Sequence, residues 1–133
     1  MPAALLAPEA PALVLEPSDQ APSLARRYLT ERFRDLGITD DFVGRVVVSE
    51  LVTNAYKHVG FGHIVVRVLP DKCDDLAVIE VWDEGAGDLT VRGEDDDAES
   101  GRGLLLMEQL VHDWGVRPLN EKGKIVWATC TSR

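Results

Sequence analysis

Glu50, Asn54 and His58 recur every four residues in a segment whose other periodic positions are apolar. At about 100° per residue for a helix, Val43, Val47, Leu51 and Ala55 form one stripe that should face a sheet. Asn54 and His58 fall inside that stripe and Glu50 at its edge. An unpaired charge buried there would cost on the order of several kcal/mol. These groups therefore satisfy one another or line a cavity holding something polar. A metal centre on Glu50 and His58 would need further ligands, and no such cluster accompanies them in the sequence. Two glycine-rich turns add to the pattern. Asp83-Glu84-Gly85-Ala86-Gly87 follows a strand-like run, and Gly101-Arg102-Gly103-Leu104 precedes a helical one. Glycines let a backbone approach a ligand closely and present its N–H groups, and a helix N-terminus supplies partial positive charge suited to phosphate. The spacing is neither that of Walker A nor that of the Rossmann fingerprint.

Positioning these residues requires a particular set of elements. Residues 1–12 read as a flexible Ala/Pro-rich tail, and Leu13–Leu15 as a short edge strand before Pro17. The spacing predicts a helix over 23–36, with Ser23 as N-cap and Gly37 as C-cap. A second helix is predicted from Thr39-Asp40 to Gly60. The β-branched runs 63–69 and 76–82 predict a hairpin. A Gly- and Asp-rich loop of about twenty residues comes next, a length that marks a functional or mobile segment. The remaining elements are a helix over 104–112 and strands over 115–118 and 124–130. This order predicts a two-layer α/β sandwich, with a mixed, mostly antiparallel sheet, helices on one face, and a single domain over 13–133.

With 133 residues, 45% apolar and 28% charged, the chain is sized and composed as one globular domain. Its net charge of −9 and the absence of a Lys/Arg run argue against direct nucleic-acid or membrane-surface binding. No apolar stretch approaches the roughly 20 residues of a membrane span. The opening MPAALLAPEA lacks a basic n-region, so a cytoplasmic location is expected. Cys73 and Cys130 are then expected to be reduced thiols. The arginines of the first helix, Arg26, Arg27, Arg32 and Arg34, read as a solvated polar face, and Trp82, Trp114 and Trp127 as core or rim packing.

Taken in order, SELVTNAYKH (49–58), DEGAG (83–87) and GRGLLLM (101–107) resemble the N, G1 and G2 boxes of the histidine-kinase-like ATPase superfamily, the Bergerat fold of gyrase and MutL proteins. The subfamily most like this chain is that of the small bacterial serine/threonine kinases that act as anti-sigma factors, and the resemblance covers about residues 13–133. It implies ATP and Mg²⁺ as cofactors. By that likeness Glu50 would be the general base and Asn54 the Mg²⁺ ligand. Asp83 would accept the adenine amino group, and Gly85 and Gly87 would allow close approach of the backbone. Gly101, Arg102, Gly103 and Leu104 would hold the phosphates, with Lys57 and His58 as a basic pair near them. Because the chain is acidic, Mg²⁺ on Asn54, the Arg102 guanidinium and a helix dipole would supply the compensating charge. The implied partners are a sigma factor or an anti-sigma-factor antagonist protein, with a homodimer compatible with the subfamily. Ile125 stands where the subfamily often has a Thr that supports adenine recognition, and Glu84 where it usually has a neutral residue. Ile125 and the acidic stretch between the glycine boxes motivate the alternative of a non-catalytic interaction module with a weak or vestigial nucleotide site.

Overall fold

The computed structural model describes residues 11–71, 75–85, 98–119 and 123–131. Gly87, most of the acidic run and residues 1–10 of the expected tail lie outside them; Ala12, given to the tail, opens the first strand. The elements are β1 (Ala12–Leu15), α1 (Ala21–Asp35), α2 (Phe42–Asn54) with a π-helical turn over Ala55–Val59, β2 (Ile64–Asp71), β3 (Leu76–Asp83), α3 (Ala98–Leu110), β4 (Asp113–Pro118) and β5 (Lys124–Thr131). One sheet has the order β1-β2-β3-β5-β4, and all four pairings are antiparallel. The α/β sandwich is as expected, and its mostly antiparallel sheet has no parallel pairing among the described residues. The reason is topological. The crossover through α3 brings β4 back in the direction of β3, but β5 turns back and pairs between them, so the two parallel strands are never neighbours.

Alternation sorts the strands into two faces. Val66, Val81, Val126 and Val116 form one rank across the sheet, with Val68, Ile79 and Ala128 beside it on the same face, and the buried cluster draws on this face alone. From the helices it takes Leu29 and Phe33 of α1, Val47, Val48, Leu51 and Val52 of α2, and Leu104 and Met107 of α3. α2 is buried on two sides because it lies between α1 and α3 and also against β3 and β5. That explains why its buried positions include Gly44, Val48 and Val52 as well as Val47 and Leu51 of the expected stripe, whose Val43 is only half-buried.

Gly44 sets the distance between α1 and α2. A Cβ there would sit 2.9 Å from Phe33 Cζ and 3.0 Å from Leu29 Cδ2, and both of those side chains are fully buried. Gly44→Ala gains helix propensity worth about 0.5–1 kcal/mol but overpacks this contact, at about 1–3 kcal/mol. The expected net result is a loss of about 1 kcal/mol, read as a lower urea midpoint with an unchanged slope.

Several local expectations are corrected. α1 begins at Ala21 with Gln20 as N-cap, so Pro22 lies in its first turn, where a missing N–H costs nothing, and Ser23 is helical rather than the cap. The C-cap is Leu36 and not Gly37, which follows it in the left-handed region at φ +78°. α2 begins at Phe42, later than Thr39-Asp40, and α3 begins at Ala98, earlier than Leu104. Two of the four arginines turn inward instead of forming a solvated face. Arg32 donates from Nε (3.3 Å) and Nη2 (2.9 Å) to the Val68 carbonyl, and Arg26 Nη1 donates to Ser49 Oγ at 2.8 Å, tying α1 to the helix that carries Glu50 and Asn54.

Cys130 lies on the core face of β5, 3% exposed, and burial pushes its thiol up to about 11. The folded chain holds that proton more tightly than the unfolded chain, whose thiol ionises near about 8.5. The corresponding stability is fully present below that value and is lost as pH rises through about 11. In a Cys73→Ser background, a thiol reagent at pH 8 should therefore modify Cys130 only as fast as the chain opens; immediate labelling would contradict this placement.

Candidate functional site

Three elements converge at one end of the sheet: the last turn of α2 with its π-helical extension, the end of β3, and the start of β5. Between them is a cleft of about 290 Å³, near the lower limit of the ~300–1,000 Å³ usual for ligand sites. Its walls include Leu51, Ala55, Val59 and Val126, and its polar groups include Asn54, Asp83 and Lys124. Phe61, 56% exposed, lies at its edge between Gly60 and Gly62, both with φ above +70°.

Asn54 ends α2 on the cleft wall and is 4% exposed, yet neither its Oδ1 nor its Nδ2 has a hydrogen-bond partner among the described residues. An unsatisfied buried amide costs about 1–3 kcal/mol. The fold nevertheless holds this one against the cavity, which is the arrangement expected of a ligand-binding group. Its amide oxygen is also a suitable donor for a hard cation that keeps several other oxygen ligands, as Mg²⁺ does.

Asp83, the last residue of β3, pairs in register with Lys124, the first of β5, and both face the cleft. Lys124 Nζ donates to Asp83 Oδ1 at 2.8 Å, and the Gly85 amide donates to the same oxygen at 2.9 Å. Side-chain exposures of 8% and 4% make this a buried ion pair. Glycine is required at 85 by space: a Cβ would meet Val59 Cγ2 at 2.7 Å, with Asp83 Oδ1 and Lys124 Nζ each at 3.2 Å. Glu84 has a structural task. One of its carboxylate oxygens accepts the His63 amide at 2.9 Å, fastening the turn after β3 to the Gly60–His63 segment, and its carboxylate fills the space beside Gly62 that a Cβ would need.

The structure thus brings Asn54, His58, Asp83 and Gly85 to one cleft, and separates others. Glu50 is half-buried one turn before Asn54 and is not on the cleft wall; its carboxylate is engaged within the protein and its Oε2 is buried. His58 was expected within the buried stripe but is exposed at the cleft rim. The physical reason is the π-helical turn, which closes with a Gly60 N to Ala55 O bond of 3.2 Å and holds an extra residue, so an α-helical period misplaces the residues beyond Asn54. Lys57 is exposed and outside the cleft lining. Gly101, Arg102, Gly103 and Leu104 were expected ahead of a helix, yet α3 already includes them. In this conformation their amides fall at or beyond the end of the first turn, where helical bonding takes up N–H groups, and the Leu104 side chain is a core residue, 3% exposed. Ile125 is also corrected as the residue bearing on the base. It pairs with Trp82 on the opposite face of the sheet, and the cleft-facing position belongs to Lys124.

Sequence reasoning missed Lys124, Phe61 and the π-helical turn. Lys124 was findable: Val126 and Ala128 belong to the core face, and two residues back along a period of two is Lys124. Phe61 and the π-helical turn left no periodic signal.

Fold and cleft together define an α/β sandwich with a ligand site between a central helix and the end of an antiparallel sheet. Residues 15–130 match the family model described as the histidine kinase-like ATPase domain, and the chain belongs to that family. Membership implies ATP binding and a regulatory role. A search of curated proteins gave no match. Among the described residues, no helix is long and apolar enough to cross a membrane.

Proposed function

We propose that this chain is an ATP- and Mg²⁺-binding regulatory serine/threonine kinase of the anti-sigma-factor type, acting in the cytoplasm on a sigma factor or an antagonist protein. The observation that carries the nucleotide reading is Asn54, a buried amide without hydrogen-bond partners among the described residues, on the wall of a cleft that also presents Asp83. The partner class rests on the resemblance of SELVTNAYKH, DEGAG and GRGLLLM to that subfamily. Bound MgATP would supply the transferable phosphoryl group. Asn54 would hold the cation through its amide oxygen, Asp83 would accept the amino group of the base, and the apolar walls would exclude water from it. Glu50, one turn from Asn54 on the same helix, would take the proton of an attacking hydroxyl on a carboxylate oxygen. Gly87 and the Arg102 side chain lie outside the described residues; their assignment to the nucleotide rests on the resemblance alone.

The test separates binding from chemistry. With labelled ATP, Glu50→Gln should lower phosphoryl transfer to a serine or to water about 10²- to 10⁴-fold, the range for a lost general base, while ATP affinity stays within about threefold (no base contact is removed). Full turnover in that variant would remove Glu50 from the chemistry. Absence of ATP binding to the wild-type chain would remove the kinase reading altogether.

One observation favours a second reading, a non-catalytic interaction module: α3 is already helical through Gly101–Leu104, so the second glycine box presents no free turn of amides in this conformation. Partner capture that is indifferent both to ATP and to Asn54→Ala would support that reading over the first.

A further inference from the structure

Lys124 is only 6% exposed and lines the cleft, where its ammonium is paired with Asp83. That group has three N–H donors. One goes to Asp83 Oδ1, and no other hydrogen bond of this side chain is seen among the described residues. Asp83 shows the complementary surplus. Both of its hydrogen bonds use Oδ1, and Oδ2 makes none among the described residues. The floor of the cleft therefore offers an acceptor and a charged donor side by side, walled by Leu51, Ala55 and Val126. Displacing Lys124 to free Asp83 would leave a buried charge uncompensated, so a ligand gains most by bonding to both groups with the ion pair intact.

We propose that Lys124 is a specificity-determining residue that donates directly to a ring nitrogen of the bound base, next to the amino group accepted by Asp83. This rests on the ATP-binding reading above and deepens it. Adenine carries the required pattern, an exocyclic amino donor flanked by the acceptors N1 and N7. A single fixed ammonium beside Asp83 reaches one of these two nitrogens, and the selection is made by the protein rather than by an intervening water.

The experiment compares ATP, 1-deaza-ATP and 7-deaza-ATP by calorimetry with Mg²⁺. In the wild-type chain one of the two analogues should bind about 10- to 100-fold more weakly than ATP, the range for a hydrogen bond to a charged group. In Lys124→Met that analogue and ATP should bind alike. Because Lys124→Met leaves Asp83 charged, the neutral pair Asp83→Asn/Lys124→Met serves as the second background. Equal binding of all three nucleotides to the wild-type chain overturns the proposal without any variant, and so does a discrimination that survives removal of Lys124. No binding of ATP itself overturns the parent reading as well, so the two failures are distinguishable.

Discussion

Asn54→Leu should make the protein more stable and weaken its binding of nucleotide. The amide is 4% exposed with both polar atoms unpartnered among the described residues, so the folded state bears a desolvation cost that the unfolded chain does not. Replacing it by an apolar group of similar size removes that cost, about 1–3 kcal/mol, and leucine is the better helix former by a few tenths of a kcal/mol. The extra methyl volume has the adjoining cleft of about 290 Å³ to occupy, so overpacking is not expected. For a domain of this size the gain corresponds to a rise in Tm of about 4–11 °C. ATP affinity should fall about 10- to 100-fold, the equivalent of one charge-assisted ligand contact. Scanning calorimetry with and without nucleotide reads both effects. A structural asparagine would give the opposite sign, a loss of stability, and opposite signs for stability and binding are the expected mark of a functional group held at a cost.

Asp83→Ala should be the most destabilising single change in the cleft. It leaves the Lys124 ammonium buried without its carboxylate and deprives the Gly85 amide of its acceptor. Breaking one side of a buried ion pair costs about 3–5 kcal/mol, a large part of the 5–15 kcal/mol typical of a domain, as an order of magnitude roughly. The sign of the companion variant distinguishes charge from packing. Adding Lys124→Met to Asp83→Ala should restore about half or more of the loss, because the uncompensated charge goes with the lysine. Denaturant titrations of the two single variants and the double variant give the coupling energy. If the double variant lost the sum of the two single losses, the ion pair would be energetically silent.

Legibility in the sequence depended on the physics of each signal. The β2–β3 hairpin was legible because its runs are β-branched and bounded by polar residues, and Asn54 stood out because an amide inside an apolar stripe has no cheap resting place. Asp83 and Gly85 were visible as a strand end leading into glycine. The π-helical turn was not, since a bond from Gly60 to Ala55 depends on how the chain must enter β2 and leaves no trace in a helical period. The role of Lys124 was obscured for a different reason. Its partner Asp83 lies 41 residues away in sequence, and only the β3–β5 register brings the two charges together. Arg26 and Arg32 illustrate the same limit: they look like solvated helix charges until Ser49 and the Val68 carbonyl are placed beside them.

The side-chain amide of Asn54 is itself the most direct witness to the central claim. The chain has two asparagines, Asn54 and Asn120, so one substitution assigns its NH₂ resonances in a ¹⁵N-labelled sample. On titration with ATP and Mg²⁺, those resonances should shift saturably at sub-millimolar nucleotide, and the shift should reverse when the cation is chelated. Resonances that stay fixed through millimolar MgATP, in a chain whose other amides confirm that it is folded, would contradict a nucleotide held by this cleft.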